Sequence, residues 1–87
     1  MKENANMEMN GKYQTSDLYL AAYLLSMGLE LLDVDHRDQR RCKFVFADRE
    51  DRAQFVHSFM VGRATANLPD FIYYLKRAKR LLYSVEV

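Results

Sequence analysis

Few side chains in this chain are suited to chemistry. There are two histidines, His36 and His57, and one cysteine, Cys42. Nucleophilic catalysis needs a hydroxyl or thiol beside a base that a third group orients. Neither histidine has a partner at an informative spacing. Cys42 falls on the apolar side of the alternating run Cys42, Phe44, Phe46, where a thiol behaves as a small hydrophobe. His57 reads as a solvated imidazole at the edge of a polar helix face. His36 stands in "DVDHRD", which reads as an ordinary polar turn, with a loose divalent contact at Asp33, Asp35 and His36 as a distant alternative. The stretch lacks the glycine and terminal glutamate of a calcium-binding loop. Gly11, Gly28 and Gly62 are too dispersed to cradle a phosphate. The chain is therefore expected to bind and not to catalyse, with no catalytic residue, cofactor site, metal ligand or small-molecule substrate.

A different chemistry is offered by "YYLKRAKRLLYS", Tyr73 to Ser84. Cations neutralise phosphates, and aromatic rings stack on bases with little regard for sequence. The candidate nucleic-acid contacts are Arg40, Arg41 and Lys43 in the middle of the chain, with Tyr73, Lys76, Arg77 and Arg80 near its end. At about 100° per residue, Phe71, Leu75, Ala78 and Leu82 form a dry stripe. Tyr74 and Leu81 flank it on one side, Ile72 and Tyr83 on the other. Tyr73, Lys76, Arg77 and Arg80 fall on the opposite face, with Lys79 at its boundary. Any amphipathic surface helix separates its residues in this way, and cations near its C-terminus complement the helix dipole. An exposed Tyr73 among them is the one detail that an ordinary wet face does not require.

The elements that would position these residues follow from periodicity. "YQTSDLYLAAYLLSMG" predicts a first helix, capped by Thr15 or Ser16, with Asp17 in its first turn and Gly28 as its stop. Apolar residues cover most of its circumference, leaving Tyr19, Ser26 and Ala22 for water. Such a helix is buried on several sides or lies at a subunit interface, for which Leu20, Leu24 and Met27 are the candidates. Leu29–Val34 and Arg41–Ala47 predict two strands joined by a polar turn. A second helix is expected after Asp48, with Asp51 in the position of a capping box and Ala53, Phe55, Val56, Phe59 and Met60 on its dry face. Pro69 fits the first turn of a third. Residues 1–12 carry no hydrophobic period and read as a flexible tail before a single domain, 13–87. The expected fold is α+β in the order α-β-β-α-α, a two-stranded antiparallel hairpin packed with three helices.

Composition agrees with a small folded domain: 87 residues, 49% hydrophobic and 29% charged, with a net charge of +1. Residues 1–39 carry three Lys/Arg and seven Asp/Glu, while residues 40–87 carry ten and five. A basic back half can steer a polyanion to one side, or meet the acidic front of a second copy. One cysteine rules out an internal disulfide, no stretch is long and apolar enough to cross a membrane, and the polar opening resembles no secretory signal. A cytoplasmic location is expected.

Three segments, "YQTSDLYLAAYLLSMG", "KFVFAD" and "YYLKRAKRLLYS", together resemble a family of small bacterial and bacteriophage-associated domains known only as a domain of unknown function. The resemblance spans Tyr13 to Ser84. It is carried by the Tyr-x-Thr-x-Asp-Leu opening at Tyr13, Thr15, Asp17 and Leu18, by Gly28, and by the strand Phe44–Phe46. It implies a stand-alone module carried by phages or mobile elements, and it transfers no activity to any residue. The function expected from all this is a non-catalytic interaction module acting through protein contact, including self-association as a homodimer. Nucleic-acid binding through the third helix and the hairpin is the alternative.

Overall fold

The structure, a computed structural model, describes residues 7–9, 11–38 and 40–83. Its elements are β1 (Met7–Met9), β2 (Lys12–Thr15), α1 (Leu18–Ser26), β3 (Leu31–Asp35), β4 (Lys43–Ala47), α2 (Arg52–Met60) and α3 (Leu68–Tyr83). The α+β class and the three helices match the sequence reading; the hairpin does not. The expected two strands are half of a four-stranded antiparallel sheet of order β1-β2-β4-β3. The element order is accordingly β-β-α-β-β-α-α.

Of the additional strands, β1 and the first residue of β2 lie within residues 1–12, the segment expected to be a tail, while Tyr13–Thr15 of β2 come from the stretch expected to open the first helix. Met9 pairs with Lys12, and between them Gly11 sits at φ +79°, where a Cβ would be strained. Residues 1–6 and 10 of the expected tail lie outside the described residues. Past the turn, β2 alternates: Tyr13 and Thr15 are buried while Lys12 is exposed and Gln14 half-buried. β2 then pairs with β4, setting Tyr13 opposite Phe46 and Thr15 opposite Phe44.

Because Thr15 is committed to the sheet, it cannot cap α1 as expected. Its hydroxyl accepts from the Asp17 amide at 3.1 Å, and Asp17 is the cap, its Oδ1 accepting from Tyr19 and Leu20 at 3.0 and 3.1 Å. Gly28, at φ +92°, ends the helix as anticipated. Its amide reaches the Leu25 carbonyl and that of Leu29 reaches Leu24, which satisfies two carbonyls the helix end would leave open. The second helix also starts later than expected. Its first residue is Arg52, because the Asp48 carboxylate is taken by the Arg49 amide and the Arg52 guanidinium.

The inner face of the sheet and the helices share one core. Tyr13, Phe44 and Phe46 meet Leu20, Ala21, Tyr23, Leu24 and Leu25 of α1, with Ala78 of α3. Each buried phenylalanine contributes about 2–3 kcal/mol. α1 is the hub: Leu20, Ala21, Ala22 and Leu24 have no exposed surface, and α3 approaches it closely through Ala78, also fully buried. α2 is held more loosely. Phe55 and Phe59 lie edge-on and stacked against Tyr23 at 6.2 and 5.9 Å, but Ala53 and Met60, expected on the dry face, are exposed. No residue of α2 is fully buried. With the helices all on the Phe44 side, alternation sends Lys43 and Val45 to the opposite, open face of the sheet.

Candidate nucleic-acid interface

The outer face of α3 combines charge with exposed rings. Asn67 starts the helix, its side-chain oxygen accepting from the Asp70 amide at 3.0 Å. Phe71, Tyr74 and Leu82 are half-buried against the core around Ala78, and Leu75 and Leu81 are half-buried beside them, as the wheel indicates. Ile72 and Tyr83, which the wheel places at the border of the dry stripe, are instead 43% and 76% exposed, and Tyr73 is 58% exposed. Tyr73 does not hang free. Its ring lies edge-to-face with Tyr74, centroids 4.9 Å apart at 82°, so a half-buried neighbour orients it.

Three arginines are held by carboxylates. Arg37 pairs with Asp35 at 2.6 Å, Arg49 with Asp51 at 2.9 Å, and Arg52 with Asp48 at 2.9 Å. The Arg37 guanidinium holds the Asp35 carboxyl well below its usual range, and the hydrogen bond from Arg49 lowers that of Asp51. On α3, by contrast, Lys76, Arg77, Lys79 and Arg80 make no ion pair among the described residues. No acid stands three or four positions from any of them within the helix. They instead face one another: Lys76 with Lys79 and Arg80, and Arg77 with Arg80, arrangements that cost a few tenths of a kcal/mol each. The helix dipole accounts for Arg80, the one base in the last turn, but it fades before reaching Lys76 and Arg77.

The rest of the expected footprint lies elsewhere. Arg40 and Arg41 are exposed in the β3–β4 connection, and Lys43 is half-buried on the open face of the sheet. α3 packs on α1, on the other side of that sheet. Lys43 and α3 thus lie on opposite sides of the sheet, because the helices cover the Phe44 face and alternation turns Lys43 to the other. The open face itself holds a shallow mixed trough lined by Lys12, Gln14, Leu32, Asp33 and Val45. The candidate interface residues are placed just as differently. Leu20 and Leu24 are fully buried in the chain's own core and Met27 is half-buried against it, so the apolar circumference of α1 is consumed internally.

One contact was not legible as spacing. His36 Nδ1 lies 3.1 Å from Cys42 Sγ, half-buried, brought together where β3 and β4 converge. Six positions apart carries no signal in a linear sequence; it becomes a contact only through hairpin register. The Asp35 carboxylate beside it is already held by Arg37. Among the described residues no three His, Cys, Asp or Glu side chains gather closely enough to hold a metal ion. His57 is exposed on α2, as expected.

The family described as "Domain of unknown function (DUF5659)" matches residues 10–84. The chain belongs to DUF5659. The match runs from the β1–β2 turn through the whole of α3, so both the sheet and the basic helix lie within the DUF5659 unit. No curated protein and no solved structure matches the chain. Among the described residues, no helix of this DUF5659 chain is long and apolar enough to cross a membrane.

Proposed function

We propose that this chain is a non-catalytic binding module whose working surface is the outer face of α3, and that its partner is nucleic acid. The observation carrying this reading is the set Lys76, Arg77, Lys79 and Arg80, without a carboxylate partner among the described residues, beside the exposed rings of Tyr73 and Tyr83. Cations held together against their mutual repulsion suit a ligand that supplies the missing negative charge, and a phosphodiester chain supplies it at regular intervals. Replacing Lys76, Arg77 and Arg80 by alanine should weaken binding to any oligonucleotide at low salt. Retention of full affinity in that variant would contradict the reading. The resemblance of the Tyr13–Leu18 opening to phage-associated domains supports a phage or mobile-element setting, and the lone free Cys42 supports a reducing, cytoplasmic one.

Protein contact, including self-association, is the second reading. Its support is the exposed apolar pair Leu68 and Ile72, 66% and 43% exposed one turn apart on α3. The sheet edge favours it less. β3 is an outer strand, but a register shift between Leu31 and Asp33, together with the acids Asp33 and Asp35, blunts it against strand addition. Sedimentation with and without nuclease treatment separates the two readings.

A further inference from the structure

We infer that the nucleic acid taken by α3 is single-stranded, held by stacking of unpaired bases on Tyr73 and Tyr83 with their phosphates on the cations between; this rests on the nucleic-acid reading above. Ten residues separate the two tyrosines, which is about 15 Å along the axis and about 80° around it. Lys76 and Arg80 fall inside that interval in both height and angle. Stacked nucleotides advance about 3.4 Å each, so the two rings bracket about four to five of them. Ring, cation, cation, ring is an order suited to a short strand laid along the helix.

The same face is poorly built for duplex. A helix that reads the major groove leads with its N-terminal turn and meets base edges with Arg, Asn or Gln. The first turn of α3 is Leu68, Pro69 and Asp70, so it leads with apolar groups and a carboxylate. The Asn67 side-chain oxygen ahead of it is already accepting from the Asp70 amide. No Asn, Gln, Ser or Thr lies within α3, and its cations are confined to the half farther from that turn. Rings offer nothing to a closed duplex, whose base faces are already stacked, but each unpaired base presents a face to them. The edge-to-face contact with Tyr74 leaves less freedom for the Tyr73 ring to lose on binding.

The test is fluorescence anisotropy on the full chain with four probes of equal length: a mixed-sequence strand as DNA, the same strand as RNA, its DNA duplex, and an abasic phosphodiester strand. The expected result is tighter binding of both base-bearing strands than of the duplex or the abasic chain. Tyr73→Leu and Tyr83→Leu should each weaken strand binding about 5- to 150-fold, the range for one lost stack, while Tyr73→Phe and Tyr83→Phe restore it. Both tyrosines are exposed, so circular dichroism should show each variant folded. Equal affinity for duplex or abasic probe, or leucine variants that bind normally, would overturn the stacking inference and leave nucleic-acid binding standing. Absence of binding to every probe at low salt would overturn both. A preference for DNA or RNA identifies which strand the 2′-position admits, and either preference supports the inference.

Discussion

The guanidinium of Arg52 lies 4.2 Å above the ring of Tyr13, joining the first turn of α2 to the second strand of the sheet. The same group is ion-paired to Asp48 at 2.9 Å with both side chains largely buried, and the Asp48 amide donates to the Gly11 carbonyl at 2.9 Å. Aromatic face, carboxylate and backbone thus form one clamp. α2 has no fully buried residue, so this clamp and the Phe55 and Phe59 contacts to Tyr23 are its main attachments. Arg52→Ala should destabilise the fold by about 2–4 kcal/mol, combining a lost cation–π contact with the loss of the guanidinium paired to Asp48. Urea denaturation measures it, and Arg52→Lys should recover only part because lysine lacks the planar fork.

Tyr13 itself predicts a pH dependence. Burial pushes its hydroxyl up to about 12, and the hydroxyl has no hydrogen-bond partner among the described residues. A raised acid favours the protonated folded form. Its contribution is fully present below about pH 10, where the unfolded tyrosine ionises, and is lost as pH rises toward about 12. The urea midpoint should therefore fall more steeply above pH 10 in the parent than in Tyr13→Phe. At neutral pH the phenylalanine variant should be as stable or up to about 1 kcal/mol more so, since it removes an unsatisfied buried polar group.

Asp17 is the side chain that starts α1. Asp17→Ala should cost about 1 kcal/mol, and Ser16→Ala, at the position also considered for the cap, should cost distinctly less. The comparison by thermal melting distinguishes the two directly.

How far the sequence carried the fold depends on the strength of each local signal. α1, β4 and α3 were legible because their apolar periods run over several turns or strand residues, and Gly28 and Gly62 mark where helices stop. β1 and β2 were not. The Asn10-Gly11 pair is a strong hairpin signal, yet short strands flanked by scattered polar residues have too little period to stand against a frayed terminus. The site was legible in part: the wheel separated Tyr73 and the cations from the core correctly. It could not show that Lys43 lies across the sheet from α3, that His36 meets Cys42, or that α1 buries Leu20 and Leu24 within its own chain. Those facts belong to tertiary packing.

That burial makes a prediction about assembly. Leu24→Ala should cost about 2–5 kcal/mol through a cavity in the core, without altering any interface. The melting temperature of the parent protein should be constant across a roughly hundredfold range of concentration. A rise with concentration would instead mean that association stabilises the fold.

Repulsion on α3 predicts a trade between stability and binding. Lys76→Gln removes two like-charge neighbours, Lys79 and Arg80, and should stabilise the protein by a few tenths of a kcal/mol. The same variant should bind oligonucleotide more weakly. Denaturation and anisotropy on one preparation give both values.

Salt dependence of oligonucleotide binding tests most directly whether α3 takes nucleic acid. Three or four phosphate contacts on α3 predict a slope of log affinity against log salt of about −2 to −3 for a single strand. Removing Lys76, Arg77 and Arg80 together should flatten that slope by about 2. A parent protein that binds no strand at low salt, or a triple variant whose slope is unchanged, would contradict the assignment of this surface to nucleic acid.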